Sequence, residues 1–463
     1  MIVMKFGGTS VQDAPAINRA IEIVRDRLGR RPVVVVSAMA RVTDALLGIG
    51  RTARDQRFEA AARSIGELRE RHLATAKELL GTNRVKATYS LDWLETLMAG
   101  HFGELESLAR SIATLGELTP RSQDAIASFG ERLSSAIIAA AVEARGVGVK
   151  LVDSRDFVVT DDNFTSATPD MEASALKSIA VLGPILEAGL VPIAQGFIGA
   201  TAQGVTTTIG RGGSDYSAAI VGAALGADSI EIWTDVDGLM TTDPRIVPSA
   251  RRIRVISFAE AAELSYFGAK VLHPSTVLPA VERGIPVHIY NTLNPECEGT
   301  LIVSRPKPSR NLIKSIAFKR GVTIVNVSST RMLAAYGFLR AIFEVFDRHH
   351  TPVDVVTTSE VSVSITLDDT KHLEAIKRDL SAIGDVSVER GKAIVCVVGD
   401  NLKFTPGIAA RIFNAISSTN VNMISQGASE INLTFVIDES DSQRAVGALH
   451  DAFFTDLDPE MFS

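Results

Sequence analysis

Ile2-Val-Met-Lys-Phe-Gly-Gly-Thr-Ser10 is the stretch on which the fold turns. The apolar run Ile2 to Phe6 reads as a short β-strand, and the Gly-Gly pair that stops it reads as a turn into a helix. Ala14 to Leu28 carries helical spacing. Pro32-Val-Val-Val-Val36 is a continuous apolar run, suited to a strand buried on both faces of a parallel sheet. Strand, helix, strand is how an α/β layer begins. Outward from it, residues 43–145 are rich in Ala, Leu, Glu and Arg and read as a packed helical layer, with long helices near 55–80, 90–114 and 119–145. Strand signals return at Lys150 to Val152, Val191 to Gly196, Ile230 to Thr234 and Val287 to Tyr290, with helices between. Such alternation implies a mostly parallel sheet covered on both faces, whose ligands gather at the carboxyl ends of the strands.

The character changes near residue 300. Ser304-Arg-Pro-Lys-Pro-Ser-Arg310 is polar and Pro-rich and reads as a linker. Beyond it the pattern is β, α, β, β, α, β: Thr323 to Ser328, Phe338 to His350, Val353 to Thr358, Val361 to Leu367, His372 to Gly384 and Val386 to Glu389. It then restarts with Ala393 to Gly399, Gly407 to Asn420, Val421 to Gln426, Asn432 to Ile437 and Asp441 to Phe454. The second copy lacks its last strand. One spare β segment, Leu312 to Phe318, precedes the first copy, and an open sheet edge is a liability. Leu312 to Phe318 is therefore expected to complete the second copy, so that the two modules interlock.

Composition narrows the function. The chain has 463 residues, which suggests about three domains. With 47 Lys+Arg against 54 Asp+Glu it has no basic excess to neutralise a phosphate backbone, so nucleic acid is not expected as a partner. The longest apolar runs, Val33 to Val36 and Ala136 to Val142, fall short of the roughly 20 residues of a membrane span. The N-terminus does not read as a signal peptide. Cys297 and Cys396 lie far apart and suggest neither a metal site nor a disulfide framework, which fits a cytoplasmic location.

Five motifs carry chemistry. Lys5-Phe-Gly-Gly-Thr-Ser10 places a lysine beside a turn that a phosphate can approach, although the order of Lys and Gly is not that of a Walker A loop. Thr206-Thr-Thr-Ile-Gly-Arg-Gly-Gly-Ser-Asp215 sets three glycines and Arg211 before a helix N-terminus, an anion site in which the arginine grips a carboxylate or phosphate; Ser214 or Asp215 equally suits a helix cap. Trp233-Thr-Asp-Val-Asp-Gly-Leu-Met-Thr-Thr-Asp-Pro-Arg245 offers hydroxyls and carboxylates at a strand end, which suits a nucleotide with Mg²⁺ or, more plainly, an Asx-rich turn. In Phe267-Gly-Ala-Lys-Val-Leu-His-Pro274, Lys270 is a phosphate candidate and His273 reads as structural. Glu131, in Phe129-Gly-Glu-Arg-Leu-Ser134, serves a helix N-terminus as readily as a ligand.

Taken in this order and spacing, the motifs resemble those of the aspartate kinases in the amino acid kinase family, and the resemblance covers essentially the whole chain. Val353-Asp-Val-Val-Thr-Thr-Ser-Glu360 is close to the lysine-sensitive, single-function branch, and no Gly-x-Gly-x-x-Gly motif suggests a fused homoserine dehydrogenase. The resemblance implies a three-layer αβα catalytic domain over residues 1–303. It also implies two βαββαβ ferredoxin-like ACT domains, the first over 320–391 and the second over 311–319 plus 392–463. The implied reaction is ATP plus L-aspartate giving ADP and 4-phospho-L-aspartate. Lys5 and Asp215 are then the catalytic pair, and Ser37, Thr43, Glu131, Arg211 and Ser214 bind aspartate. Lys5, Gly7, Gly8, Thr234, Asp235, Met240, Arg245 and Lys270 hold ATP, with Mg²⁺ carried mainly on the ATP phosphates and no dedicated metal ligands. Met332, Phe338, Leu339, Val353, Asp354, Thr358, Ser359 and Glu360 form the effector site, for lysine or alternatively threonine. A homodimer or dimer of dimers through the ACT domains is expected. Met240, Ala335 and Pro352 depart from the pattern, standing where an aromatic residue and two serines are frequent. The rival readings are another amino acid kinase, or an amino-acid sensor with an inactive kinase domain.

Overall fold

The computed structural model describes residues 1–81, 88–267, 274–332 and 336–463. The chain packs as two units, Met1–Leu239 with Val271–Arg305, and Met240–Lys270 with Pro306–Ser463.

The first unit is built on a parallel sheet. Ile2–Phe6 lies between Pro32–Val36 and Ser229–Thr234, parallel to both. Pro32–Val36 pairs with Val191–Gln195, which pairs with Val149–Val152. Ser229–Thr234 pairs with Val287–Asn291, and Thr300–Val303 adds an antiparallel strand beyond it. Every residue of the three strands Ile2–Phe6, Pro32–Val36 and Val191–Gln195 is buried, as expected of strands covered on both faces. The helix Ala14–Asp26 starts at Asp13, whose side chain accepts from the Ala16 N–H, with a proline in the first turn. It ends two residues before the expected Leu28.

The helical layer comprises Val42–Arg54, Phe58–Leu80, Leu91–Leu115, Pro120–Ala127 and Phe129–Glu143. The single helix expected over 119–145 is thus two. Ser128 lies between them and turns its hydroxyl back onto the Ala125 carbonyl, the kind of side-chain bond that bends a helix. Pro120–Glu143 is, against the sequence expectation, long and apolar enough to cross a membrane; 89% of its apolar window is buried inside the protein, so it serves as a core element. A second small sheet, Val159–Thr160, Ile198–Thr201 and Thr206–Thr208, was not anticipated. Its strands are too short for alternation to register.

The second unit carries a six-stranded sheet in the order Val356–Thr358, Ser362–Leu367, Ile313–Ser328, Asp385–Gly399, Asn432–Asp438, Val421–Gln426. Segments that read as separate strands are continuous here. Ile313–Ser328 pairs through Ile313 to Phe318 with Val395 to Gly399, and through Val325 to Ser328 with Asp385 to Val388. The register slips between Arg320 and Ile324, where Gly321 takes φ 76°. That glycine bulge hands the strand from one half of the sheet to the other. Leu312 to Phe318 therefore lies alongside Ala393 to Gly399. Helices Phe338–Arg348 and Leu373–Leu380 close one apolar core over Val325, Val363 and Ile365.

Met240–Lys270, within the residues 1–303 expected as one domain, clusters with the second unit. Ser315 donates its hydroxyl to the Met240 carbonyl at 2.8 Å, the Ile316 N–H donates to the Thr241 carbonyl, and Thr241 Oγ1 meets His450 Nε2 at 3.0 Å.

Candidate active site

The carboxyl ends of three adjacent strands meet in the first unit. After Phe6 the chain turns at Gly7 and Gly8. After Val36 it passes through Ser37 and Ala38, and after Gln195 through Gly196 and Phe197. The Ser37 N–H donates to the Phe6 carbonyl, the Ala40 N–H to the Gly8 carbonyl and the Gly196 N–H to the Val36 carbonyl. These bonds tie the three turns together. Gly8 is needed because a Cβ there would sit 3.0 Å from the Ala38 carbonyl oxygen. Gly7 differs from expectation. Its N–H donates to the Trp233 carbonyl at 3.0 Å, which leaves the Gly8 amide as the candidate donor to a phosphate at this turn.

Lys5 points from the sheet into this end and is 8% exposed. Its ammonium lies 2.6 Å from Asp215 Oδ1, a close ion pair not aligned as a hydrogen bond. Asp215 stands in the first turn of the helix Gly213–Leu225, beside Ser214, which is half-buried. Gly196 makes room for that helix: a Cβ on it would fall 2.5 Å from the Ser214 Cβ. Arg211 is exposed on the preceding loop, between Gly210 and Gly212, both at positive φ (76° and 72°).

Glu131 enters from the first turn of Phe129–Glu143. Gly130 lets this helix press on the loop after Val36, since a Cβ on Gly130 would lie 2.7 Å from the Ala38 Cβ. Glu131 Oε1 accepts from the Ala38 N–H at 3.2 Å, while Oε2 is buried with no hydrogen-bond partner. Burial pushes the Glu131 carboxyl up to about 8, against the smaller opposing pull of the Ala38 amide. Ser37 and Thr43 are half-buried, and the Ser134 hydroxyl donates to the Ser37 carbonyl at 2.7 Å. Ser134 lay inside a quoted motif but had no role assigned. Ser10 is a second omission: its hydroxyl joins Thr292 Oγ1 at 2.6 Å and donates to the Trp233 carbonyl.

Lys5, Gly8, Ser37, Glu131, Ser214 and Asp215 thus gather around one end of the sheet. Thr234 ends a neighbouring strand and donates its hydroxyl to the exposed Asp235 at 3.2 Å. Met240 and Arg245 belong to the second unit. Met240 bridges to Arg252, and Arg245, 88% exposed, grips Asp243 with Nε and Nη2 at 3.0 and 2.6 Å. The guanidinium expected to meet a phosphate is paired here, on the surface, with the carboxylate two residues before it. Lys270 and His273 lie outside the described residues, as does Ala335. Among the described residues no group of three or more His, Cys, Asp or Glu is placed to hold a metal.

The expected effector residues are all in the second unit. Met332, Phe338 and Val353 pack half-buried against the apolar core, and Leu339 is exposed. Thr358 and Glu360 are exposed, and Ser359 closes a turn through Ser362 Oγ at 2.7 Å. Asp354 accepts a hydrogen bond from the Tyr266 hydroxyl through Oδ1, and its Oδ2 is buried without a partner. Tyr266 had no place in the sequence reading.

The family model of the amino acid kinase family matches residues 1–291, and an ACT domain model matches residues 395–453. The chain is 38% identical to the lysine-sensitive aspartokinase 3 of Escherichia coli K12, over 98% of this chain and 99% of that one. It is equally identical to chloroplastic aspartokinase 1 of Arabidopsis thaliana, over 98% and 80%. Among solved structures, E. coli aspartokinase III in complex with aspartate and ADP superposes with a TM-score of 0.83 at 37% identity, covering 98% of this chain and all of that one. The same enzyme with lysine and aspartate gives 0.82 at 37% identity, with 98% and 99% coverage. The chain belongs to the amino acid kinase family, on its aspartokinase branch, with ACT sequence following the kinase sequence.

Proposed function

We propose that the chain transfers the γ-phosphoryl group of MgATP to the β-carboxylate of L-aspartate, giving ADP and 4-phospho-L-aspartate. The attacking carboxylate is already ionised near neutral pH, so no general base is needed, and catalysis reduces to positioning and charge neutralisation. Lys5 neutralises the transferring phosphoryl group, and Asp215, 2.6 Å away, holds its ammonium in place. The Gly8 amide faces the same phosphate. Thr234 and Asp235 take the nucleotide side. Arg211 clamps the substrate α-carboxylate, Glu131 receives its α-ammonium, and Ser37, Thr43 and Ser214 line the pocket. Mg²⁺ arrives on the ATP phosphates, where it shields their charge.

Glu131 is the observation that carries this reading. A buried carboxyl with one unpartnered oxygen at the strand ends is costly unless a cation completes it. An α-ammonium is such a cation. The E. coli relative solved with aspartate and ADP supports aspartate as acceptor and an adenine nucleotide as its partner. A coupled ADP-release assay with ATP, Mg²⁺ and a panel of amino acids tests it. Turnover with aspartate alone supports the reading. Turnover with glutamate or acetylglutamate indicates another amino acid kinase, and none at all indicates a sensor.

Regulation follows the second unit. An amino-acid effector, lysine before threonine, inhibits by binding at the first ACT module, and Asp354 and Glu360 are the carboxylates available to its ammonium groups. The relative's complex with lysine supports lysine. Inhibition by neither amino acid, singly or together, defeats this part. Two copies associate through the ACT modules; Leu339 and Phe343, four residues apart on Phe338–Arg348, are exposed apolar side chains that a second copy would cover. Sedimentation showing a monomer with and without effector contradicts that. The reaction takes place in the cytoplasm.

A further inference from the structure

Asp124 lies in the last turn of Pro120–Ala127 and is 1% exposed. Its carboxylate has no cationic partner among its hydrogen bonds and is solvated by donors from two separate segments. The Thr165 N–H donates to both oxygens, at 3.1 and 2.9 Å. Thr208 donates its N–H to Oδ2 at 2.9 Å and its hydroxyl to Oδ1 at 2.7 Å. Burial raises the Asp124 carboxyl above its usual range, and the three donor groups oppose that rise.

Both donor segments matter to the loop that carries Arg211. Thr208 is the last residue of its strand, three positions before Arg211. Beyond it the Ile209 N–H donates to the Phe197 carbonyl at 3.0 Å, and Arg211 then follows between two left-handed glycines before the helix Gly213–Leu225 begins, so Thr208 is one of the last two anchored residues ahead of the arginine. Thr165 is itself left-handed, at φ 72°, a strained conformation for a β-branched residue that persists only when its surroundings enforce it. Asp124 holds its N–H, alongside the loop's own bonds from Ser166 to Asn163 and from Ala167 to Thr208. The loop so held abuts the glycine loop: a Cβ on Gly210 would lie 3.3 Å from Ser166 Oγ, and the Ala167 N–H donates to the Thr208 carbonyl. Glu131 stands seven residues after Asp124, in the first turn of the next helix.

We propose that Asp124 is a positioning residue for the amino-acid substrate: its buried carboxylate fixes the Arg211 loop against the helical segment that carries Glu131. The spacing between the group that clamps the α-carboxylate and the group that receives the α-ammonium then depends on one side chain that touches neither. This rests on the assignment of Arg211 and Glu131 to those roles.

Asp124→Asn keeps one acceptor and turns an NH₂ towards donors that need a second. It should raise KM for aspartate about tenfold, leave KM for ATP within about twofold and lower kcat less than about threefold. Thr208→Val removes only the hydroxyl donor and should give a rise of about threefold, which keeps the test available if Asp124→Asn fails to fold. In an Arg211→Ala background Asp124→Asn should add less than about twofold, because no clamp remains to be placed. A merely structural role would not give this non-additivity. Aspartate KM unchanged in both single variants, equal rises in both KM values, or full additivity with Arg211→Ala would each overturn the proposal. Additivity together with normal aspartate binding by Arg211→Ala would overturn the role of Arg211 as well.

Discussion

Glu131 makes aspartate binding depend on pH in a way the structure specifies. In the substrate-free protein its carboxyl is pushed up to about 8 by burial. At pH 7 it is therefore mostly protonated, while the substrate ammonium needs it as a carboxylate. Binding must expel that proton. The penalty on the dissociation constant is a factor of about 100 at pH 6, about 11 at pH 7 and about 2 at pH 8. Aspartate should thus bind about tenfold more tightly at pH 7 than at pH 6, and about fivefold more tightly again at pH 8. Titration calorimetry in buffers of different ionisation enthalpy reads both quantities, and close to one proton should be released per aspartate bound at pH 6–7. Glu131→Gln should bind aspartate weakly, with neither the pH slope nor the proton release. The same shift has a consequence for stability. A carboxyl raised from 4.5 favours the folded state most below pH 4.5, and that contribution is lost as pH rises towards 8, on the order of 1.4 kcal/mol per unit. Glu131→Gln should therefore melt higher than the parent at pH 8 and lose the advantage at pH 4.5. A dissociation constant flat across pH 6–8 with no proton release would refute the argument.

Lys5→Ala should lower kcat by about 100- to 1,000-fold because it removes charge at the transferring group, and it should also lower the melting temperature because it leaves the buried Asp215 carboxylate without its cation; near-normal turnover of the folded variant removes Lys5 from its role. Gly130→Ala puts a methyl group 2.7 Å from the Ala38 Cβ, so it should displace the helix that carries Glu131 and cost about 1–3 kcal/mol in a denaturant titration, with a raised KM for aspartate. Tyr266→Phe frees Asp354 from the hydroxyl that an effector ammonium must replace, so half-inhibition should need about three- to tenfold less lysine; an unchanged or higher requirement shows that Asp354 does not receive the effector.

The sheet of the first unit was legible because its central strands are buried on both faces and so are apolar without interruption. The strand Pro32–Val36 coincides with the run read from the sequence, one proline and four valines. The interlocked sheet was legible for a different reason: a module short of one strand and a spare strand elsewhere have one economical solution. What escaped lies in contacts made across long stretches of sequence. The Gly7 amide looked free for a phosphate because its partner, the Trp233 carbonyl, is on a strand more than two hundred residues away. Arg245 looked free although Asp243 stands two residues before it, because nothing local says which anion an arginine will choose. Met240 and Thr241 bond to Ser315, Ile316 and His450, partners that their own neighbourhood in the sequence does not announce. Asp124 read as an ordinary helix residue; only the two threonines folded against it reveal a carboxylate with work to do.

The central claim is that this strand-end site moves a phosphoryl group onto a carboxylate of aspartate. Hydroxylamine converts an acyl phosphate to a hydroxamate, so trapping the product while measuring ADP tests the claim directly. With MgATP and L-aspartate the protein should yield ADP and aspartyl hydroxamate in equal amounts, and Lys5→Ala should yield almost neither. ADP without hydroxamate, or equal hydroxamate from glutamate at the same concentration, would contradict it.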